Sequence, residues 1–149
     1  MTALLIGFIA GLRAMTAPAS VSWAAHLGWL HVGDTWAAFV AHAATRWILT
    51  LLALGELVTD QLPSTPSRTV PIQFTTRVIM GGFAGAAVGA AGGATVVGLV
   101  AGMAGAVLGT LAGAAFRRRL AAAFGNDHPA AFIEDAVALA GAFLVLARL

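Results

Sequence analysis

Two arginines stand where a charge is costly. Arg13 lies about ten residues into the first apolar run of the chain and Arg46 about ten into the second; at 1.5 Å rise per helical residue either would sit ~15 Å deep, near the middle of a bilayer. Arginine does not readily shed its proton. Each guanidinium therefore needs a carboxylate, a set of carbonyls, water or an anionic ligand, and a structural salt bridge competes with a share in an anion or substrate site. His42 precedes Arg46 by one helical turn and shares its face. His26 follows in the second half of the first run. Lone histidines among alanines are more often hydrogen-bonded core residues than ligands. No HExxH pattern or close cluster of ligating side chains is present, so no metal site is expected, and the absence of cysteine excludes a thiol nucleophile and disulfides.

The carboxylates fall in two places. Glu56 and Asp60 are one turn apart near the end of the second run, on one helix face, and Glu134 and Asp135 are adjacent inside the last run. Folded as a bundle, both pairs approach the same level as Arg77, at the start of the third run. Such a cluster could hold a divalent cation, relay protons, or neutralise Arg13 and Arg46. Between Gly55 and Pro71, three prolines hold the chain extended, while Ser64, Thr65, Ser67, Arg68 and Thr69 offer hydroxyl and guanidinium donors. Arginine with hydroxyls suits a phosphate, although no glycine-rich phosphate loop accompanies them. The plainer reading of this stretch is a rigid interfacial connector.

The elements that must position these groups are set by composition. Hydrophobic residues make up 60% of the 149 and charged residues 9%, against roughly 25% charged in soluble domains. So few charges cannot cover a water-exposed surface, which points to one all-α domain, 1–149, built as a polytopic transmembrane helix bundle with lipids as its surroundings. About five membrane segments are expected, near Ala3 to Leu30, Trp36 to Val58, Arg77 to Val97, Gly98 to Phe116 and Pro129 to Leu146. The first is too long for one plain crossing and is interrupted from Arg13 to Pro18, so it is either one kinked helix or a re-entrant piece followed by a second helix. Met1 to Leu12 carries no charged side chain and reads as membrane segment rather than cleavable leader.

With five crossings, Arg68, Arg77 and the Arg117-Arg118-Arg119 triplet fall on one side, which the positive-inside rule makes cytoplasmic together with the amino terminus. A re-entrant first segment would move the amino terminus to the outer face and leave those loops in place. Localisation in the cytoplasmic membrane follows either way. The basic residues form no soluble face with interleaved aromatics, so nucleic acid is not an expected partner. Gly81, Gly85, Gly89 and Gly93 recur every fourth residue, as do Gly105, Gly109 and Gly113. Such stripes let another backbone approach closely, within a hairpin or a homo-oligomer.

Gly11-Leu12-Arg13-Ala14-Met15-Thr16-Ala17-Pro18, the Glu56 to Thr69 stretch, and the run from Asp127 to Asp135 together resemble a bacterial family of small polytopic membrane proteins known as a domain of unknown function. The resemblance covers nearly the whole chain and implies a self-contained membrane domain. It implies no activity, cofactor or catalytic residue. The residues themselves favour a small transporter or channel-like protein for a small or anionic solute, with Arg13 and Arg46 attracting the anion. Glu56, Asp60, Glu134 and Asp135 would couple protons or cations, and glutamine at Arg13 or Arg46 would abolish flux while the protein stays folded. A second expectation is a membrane enzyme acting on a phosphate-bearing lipid, with a metal held by the carboxylates and the phosphate positioned by Arg68 and Arg77. A third is an accessory subunit packed by its glycine faces against a larger complex.

Overall fold

A computed structural model describes residues 1–60, 70–124 and 127–147; Arg68 and the rest of 61–69 lie outside them. All regular structure among the described residues is helical. The interruption of the first run is a true chain break between two half-length helices, α1 (Thr2–Leu12) and α2 (Thr16–His26). Arg13 ends α1 by turning extended, at φ −143° and ψ 110°. Pro18 then falls in the first turn of α2, where a missing N–H leaves no intrahelical bond unmade. Met1, Thr2 and Ala3 line the same open groove as Trp29, Leu30 and His31. The two helices thus form a hairpin with Arg13 to Met15 at its tip and both outer ends together.

The second run also divides. A short 3₁₀ helix, Trp36–Ala41, precedes α3 (Ala43–Thr59), and His42 Nδ1 accepts from the Ala44 N–H at 3.2 Å to cap it. Arg46 therefore stands in the first turns of α3 instead of ten residues deep. α4 (Pro71–Ala91) starts within the stretch expected as connector, with Pro71 at its first position. α5 (Thr95–Phe124) runs on through Arg117, Arg118 and Arg119, expected in a loop. Arginine is a good helix former, and its long stem lets the charge reach water from a continuing helix. α6 (Asp127–Leu146) completes the set. α4 and α5 are each long and apolar enough to cross a membrane.

Glycine decides how closely α1, α4 and α5 approach. A Cβ placed on Gly85 would lie 2.8 Å from Gly102 Cα, and one on Gly89 would lie 2.9 Å from Gly98 Cα. Gly105 and Gly109 face α1 instead, meeting the backbone of Leu4 and Phe8. Gly93 leaves the α4 face altogether. It sits in the turn to α5 at φ +69°, a conformation that glycine adopts without strain.

The apolar core lies toward the groove end, where Ile6, Ala10, Ala17, Val21, Val40, Ala84 and Leu146 meet. Elsewhere the usual order is reversed. α3 buries no residue, leaving Leu51 and Val58 about two-thirds exposed. Val96 and Val97 on α5, and Phe132 and Phe143 on α6, also face outward. Arg13, Arg77, Thr110 and Glu134 are buried.

Candidate functional site

The hairpin tip is where the buried charges gather. α1 ends with free carbonyls and α2 begins with free amides, and side chains from α3, α4 and α5 reach the backbone between and at these ends. From α4, Arg77 Nη1 donates to the carbonyls of Leu12 at 2.6 Å and Gly11 at 3.3 Å. From α5, Thr110 Oγ1 donates to the Gly11 carbonyl at 3.3 Å and to Ala106 O at 2.8 Å. From α3, Glu56 Oε1 accepts from the Ala14 N–H at 2.7 Å and Oε2 from the Met15 N–H at 2.8 Å. A cation thus closes the negative end of α1 and a carboxylate the positive end of α2, the favourable sense for both helix dipoles.

Arg13 points into the bundle and is fully buried. Its Nη1 donates to Asp60 at the C-cap of α3 and its Nη2 to Asp135 on α6. Arg77 Nη2 lies 3.6 Å from Glu56 and 3.7 Å from Asp60, joining the two guanidiniums through shared carboxylates. Arg13 and Arg77 face Glu56, Asp60 and Asp135, so these five groups carry a formal excess of one negative charge. Next to Asp135, Glu134 is buried and pairs with Arg117 on α5 at 3.9 Å. That pair links the cluster to the arginine-rich end of α5.

Of the sequence candidates, Arg13, Glu56, Asp60, Arg77 and Asp135 therefore form one site, and Glu134 adjoins it. Arg46 does not join them. It lies over the rings of Trp23, 5.2 Å from the centroid, and Trp47, 5.8 Å away, and its Nε and Nη1 have no hydrogen-bond partner. The acidic residues neutralise Arg13 and leave Arg46 to the aromatic rings. Thr110, Thr16 and the α1 carbonyls belong to the site without having been singled out as chemical groups. Thr16 had a signal, a hydroxyl two residues before Pro18 at a helix restart; Thr110, in a glycine-alanine-rich stretch, had none. Among the described residues, no group of three or more His, Asp or Glu side chains is arranged to hold a metal ion. No family model, curated protein or solved structure matches this chain, so the chemistry of the site rests on its own geometry.

The Glu56 cap yields a stability prediction. Glu56→Ala strands two amide donors and removes a partner of Arg77, an expected loss of about 2 kcal/mol or more. Glu56→Gln keeps one acceptor oxygen and should lose less. Thermal unfolding of the detergent-purified variants checks this, and equal losses for the two would show that the carboxylate oxygens are not what holds the tip.

Proposed function

We propose that this chain is a multi-pass protein of the cytoplasmic membrane that carries an anionic solute coupled to proton movement. The membrane setting is supported by α4 and α5, each long and apolar enough to span, and by the outward apolar faces of α3, α5 and α6. Contiguous apolar surface of that kind calls for lipid or a partner. Charge and aromatics agree with this setting. Trp29 lies by the groove that Gly92 and Ala94 also line, at the start of α5. Arg117 is ~33 Å further along α5, about one hydrocarbon thickness away. Tryptophan marks one interface and arginine the cytoplasmic one. α3 to α6 would cross, while α1 and α2, each ~16 Å long, would enter from the outer face and return. Both ends of the chain would then face outward.

The observation that carries the functional reading is the pairing of Arg13, at the hairpin tip, with two carboxylates from two other helices. A guanidinium held this way is contested. While Asp60 and Asp135 are ionised they occupy its two Nη groups and offset its charge, which disfavours an anion. Protonation of either weakens its hold and frees donors that an anionic solute can take. Loss of the proton restores the pair and expels the solute. Arg77 and Glu56 hold the tip through both states, and the Glu134–Arg117 pair lies between Asp135 and the cytoplasmic arginines. A tip of broken helix ends, here with the Gly11 and Leu12 carbonyls and the Ala14 and Met15 amides met by other helices, is a recurrent way to build a carrier site at the midplane. The carboxylates that a lipid-phosphate enzyme would need for a metal ion are here engaged with guanidiniums and with the α2 amides.

Proteoliposomes enclosing a pH-sensitive dye test the reading. An inward gradient of chloride, nitrate, phosphate or gluconate should acidify the lumen for at least one of these ions, and faster at lower external pH. Asp135→Asn should leave anion movement while proton movement falls by about tenfold or more, if one carboxylate carries the coupling. Wild-type vesicles that respond to none of the four ions would overturn the proposal.

A further inference from the structure

Among the described residues, Arg13 Nε and Thr16 Oγ1 at the hairpin tip are buried without a hydrogen-bond partner. Their residues are 0% and 3% exposed, so bulk water does not satisfy them. Arg13 shortly precedes α2 and Thr16 is its first residue, and that helix start has unused donors. Glu56 takes the amides of Ala14 and Met15, and the first intrahelical bond runs from the Ala19 N–H to the Met15 carbonyl at 3.1 Å. Thr16 and Ala17 occupy the first two positions of α2, where an N–H has no acceptor within its own helix. Pro18, the third, has no N–H to offer.

We infer that the first turn of α2 binds a small monovalent anion, held by the Thr16 hydroxyl, the Thr16 and Ala17 amides and Arg13 Nε. This rests on the proton-coupled carrier reading and deepens it by naming the binding groups and the ligand class. Every unused backbone and guanidinium group here is a donor, and the hydroxyl can donate as well. A water molecule accepts two such bonds and must place its own protons, whereas a halide or oxyanion accepts them all. The helix dipole and the Arg13 charge favour a negative ligand in the same place. Charge also sets valence. Among the described residues, Arg13 and Arg77 face Glu56, Asp60 and Asp135, and Glu134 pairs with Arg117. A monovalent anion that arrives with one proton on Asp60 or Asp135 leaves the cluster at its original charge. A divalent anion needs two protons, and the carboxylates released would have to stay neutral together.

The test uses purified wild-type protein in detergent with a gluconate background, titrated with chloride, nitrate or sulfate at pH 5.5 and 7.5 while the unfolding temperature is followed. A saturable rise with chloride or nitrate, tighter at pH 5.5 and absent with sulfate, is the expected result. Thr16→Val removes the hydroxyl at nearly constant volume and should weaken the apparent affinity by about tenfold or more, whereas Thr16→Ser should retain it. The ligand-free T16V protein should unfold at a temperature no lower than wild type, because the hydroxyl it loses had no partner. Should T16V fail to fold, the wild-type and T16S titrations still decide. No saturable shift with either monovalent ion, the same shift with sulfate, or undiminished affinity in T16V would each overturn the inference. Thr16-dependent binding without proton-coupled flux in vesicles leaves the anion site standing and removes the carrier reading. Coupled flux that ignores Thr16 does the opposite.

Discussion

Replacing Gly102 with leucine is expected to stop the bundle from assembling, so that little or no monodisperse protein survives detergent extraction. Gly102 is where three helices meet. A Cβ there would overlap the Gly81 carbonyl oxygen and reach within 3.0 Å of Gly85 Cα, while a Cβ on Gly7 would strike Gly102 from the other side. The obstructing atoms are backbone, which no rotamer change can move, so α4 and α5 must separate along their length. Ordinary overpacking of side chains costs about 1–3 kcal/mol. Here even Gly102→Ala should exceed the upper end of that range, and leucine should exceed the whole stability of a small domain. Gly55→Ala supplies the contrast. It lies inside α3 with nothing within 4 Å of an added Cβ, and should stabilise that helix by about 0.5–1 kcal/mol. Unfolding temperatures that rise together in G102A and G55A would mean that helix propensity, and not close approach, governs both.

That contrast also shows what the sequence could and could not reveal. The break at Arg13 was legible because a charge and Pro18 interrupt an otherwise apolar run, and both features survive folding as the hairpin tip. The grouping of Glu56, Asp60, Arg77 and Asp135 was legible from their common depth in neighbouring segments. Arg46 misled because an apolar run from Trp36 to Val58 reads as one helix. The turn at His42 depends on a side-chain cap and on the 3₁₀ helix packing against α2 and α4, neither of which leaves a periodic trace. The third run was expected displaced, Arg77 to Val97 against Pro71–Ala91, and the fourth short at both ends, Gly98 to Phe116 against Thr95–Phe124: Thr75, Thr76 and the arginine triplet look like loop residues by polarity, and the glycine-alanine stretch hides the turn at Gly92 to Ala94. In the helix, the Thr75 and Thr76 hydroxyls simply bond back to the Pro71 and Ile72 carbonyls, each at 2.8 Å. The division of the α5 glycines, Gly98 and Gly102 toward α4 but Gly105 and Gly109 toward α1, was not legible at all. A repeat of four names a stripe, and only the arrangement of neighbours says which helix it meets.

Arg13→Gln is expected to be far more damaging than Arg46→Gln, although the sequence placed the two arginines in parallel roles. Glutamine at Arg13 leaves Asp60 and Asp135 facing each other across a site where their side chains are 10% and 13% exposed. Among the described residues, Arg77, 3.7 Å from Asp60 and engaged with the α1 carbonyls, is then the cation beside Asp60. Breaking a buried ion pair by removing one member costs about 3–5 kcal/mol, largely because the abandoned charge stays buried. Arg46→Gln abandons no carboxylate. It loses only the contact with Trp23 and Trp47, worth about 0.5–2 kcal/mol, and should keep its proton-coupled flux. The triple variant R13Q/D60N/D135N separates stability from transport. Removing all three charges together leaves amides of similar shape that can hydrogen-bond to one another, so folded protein should recover toward wild type in thermal unfolding. Proton-coupled anion movement should not recover, because the contested Arg13 guanidinium is gone and neither Asp60 nor Asp135 remains to take the proton. A single R13Q variant as stable as wild type would mean that the two aspartates find another cation or neutralise themselves. A triple variant that still couples protons to anions would remove Arg13 from the mechanism altogether.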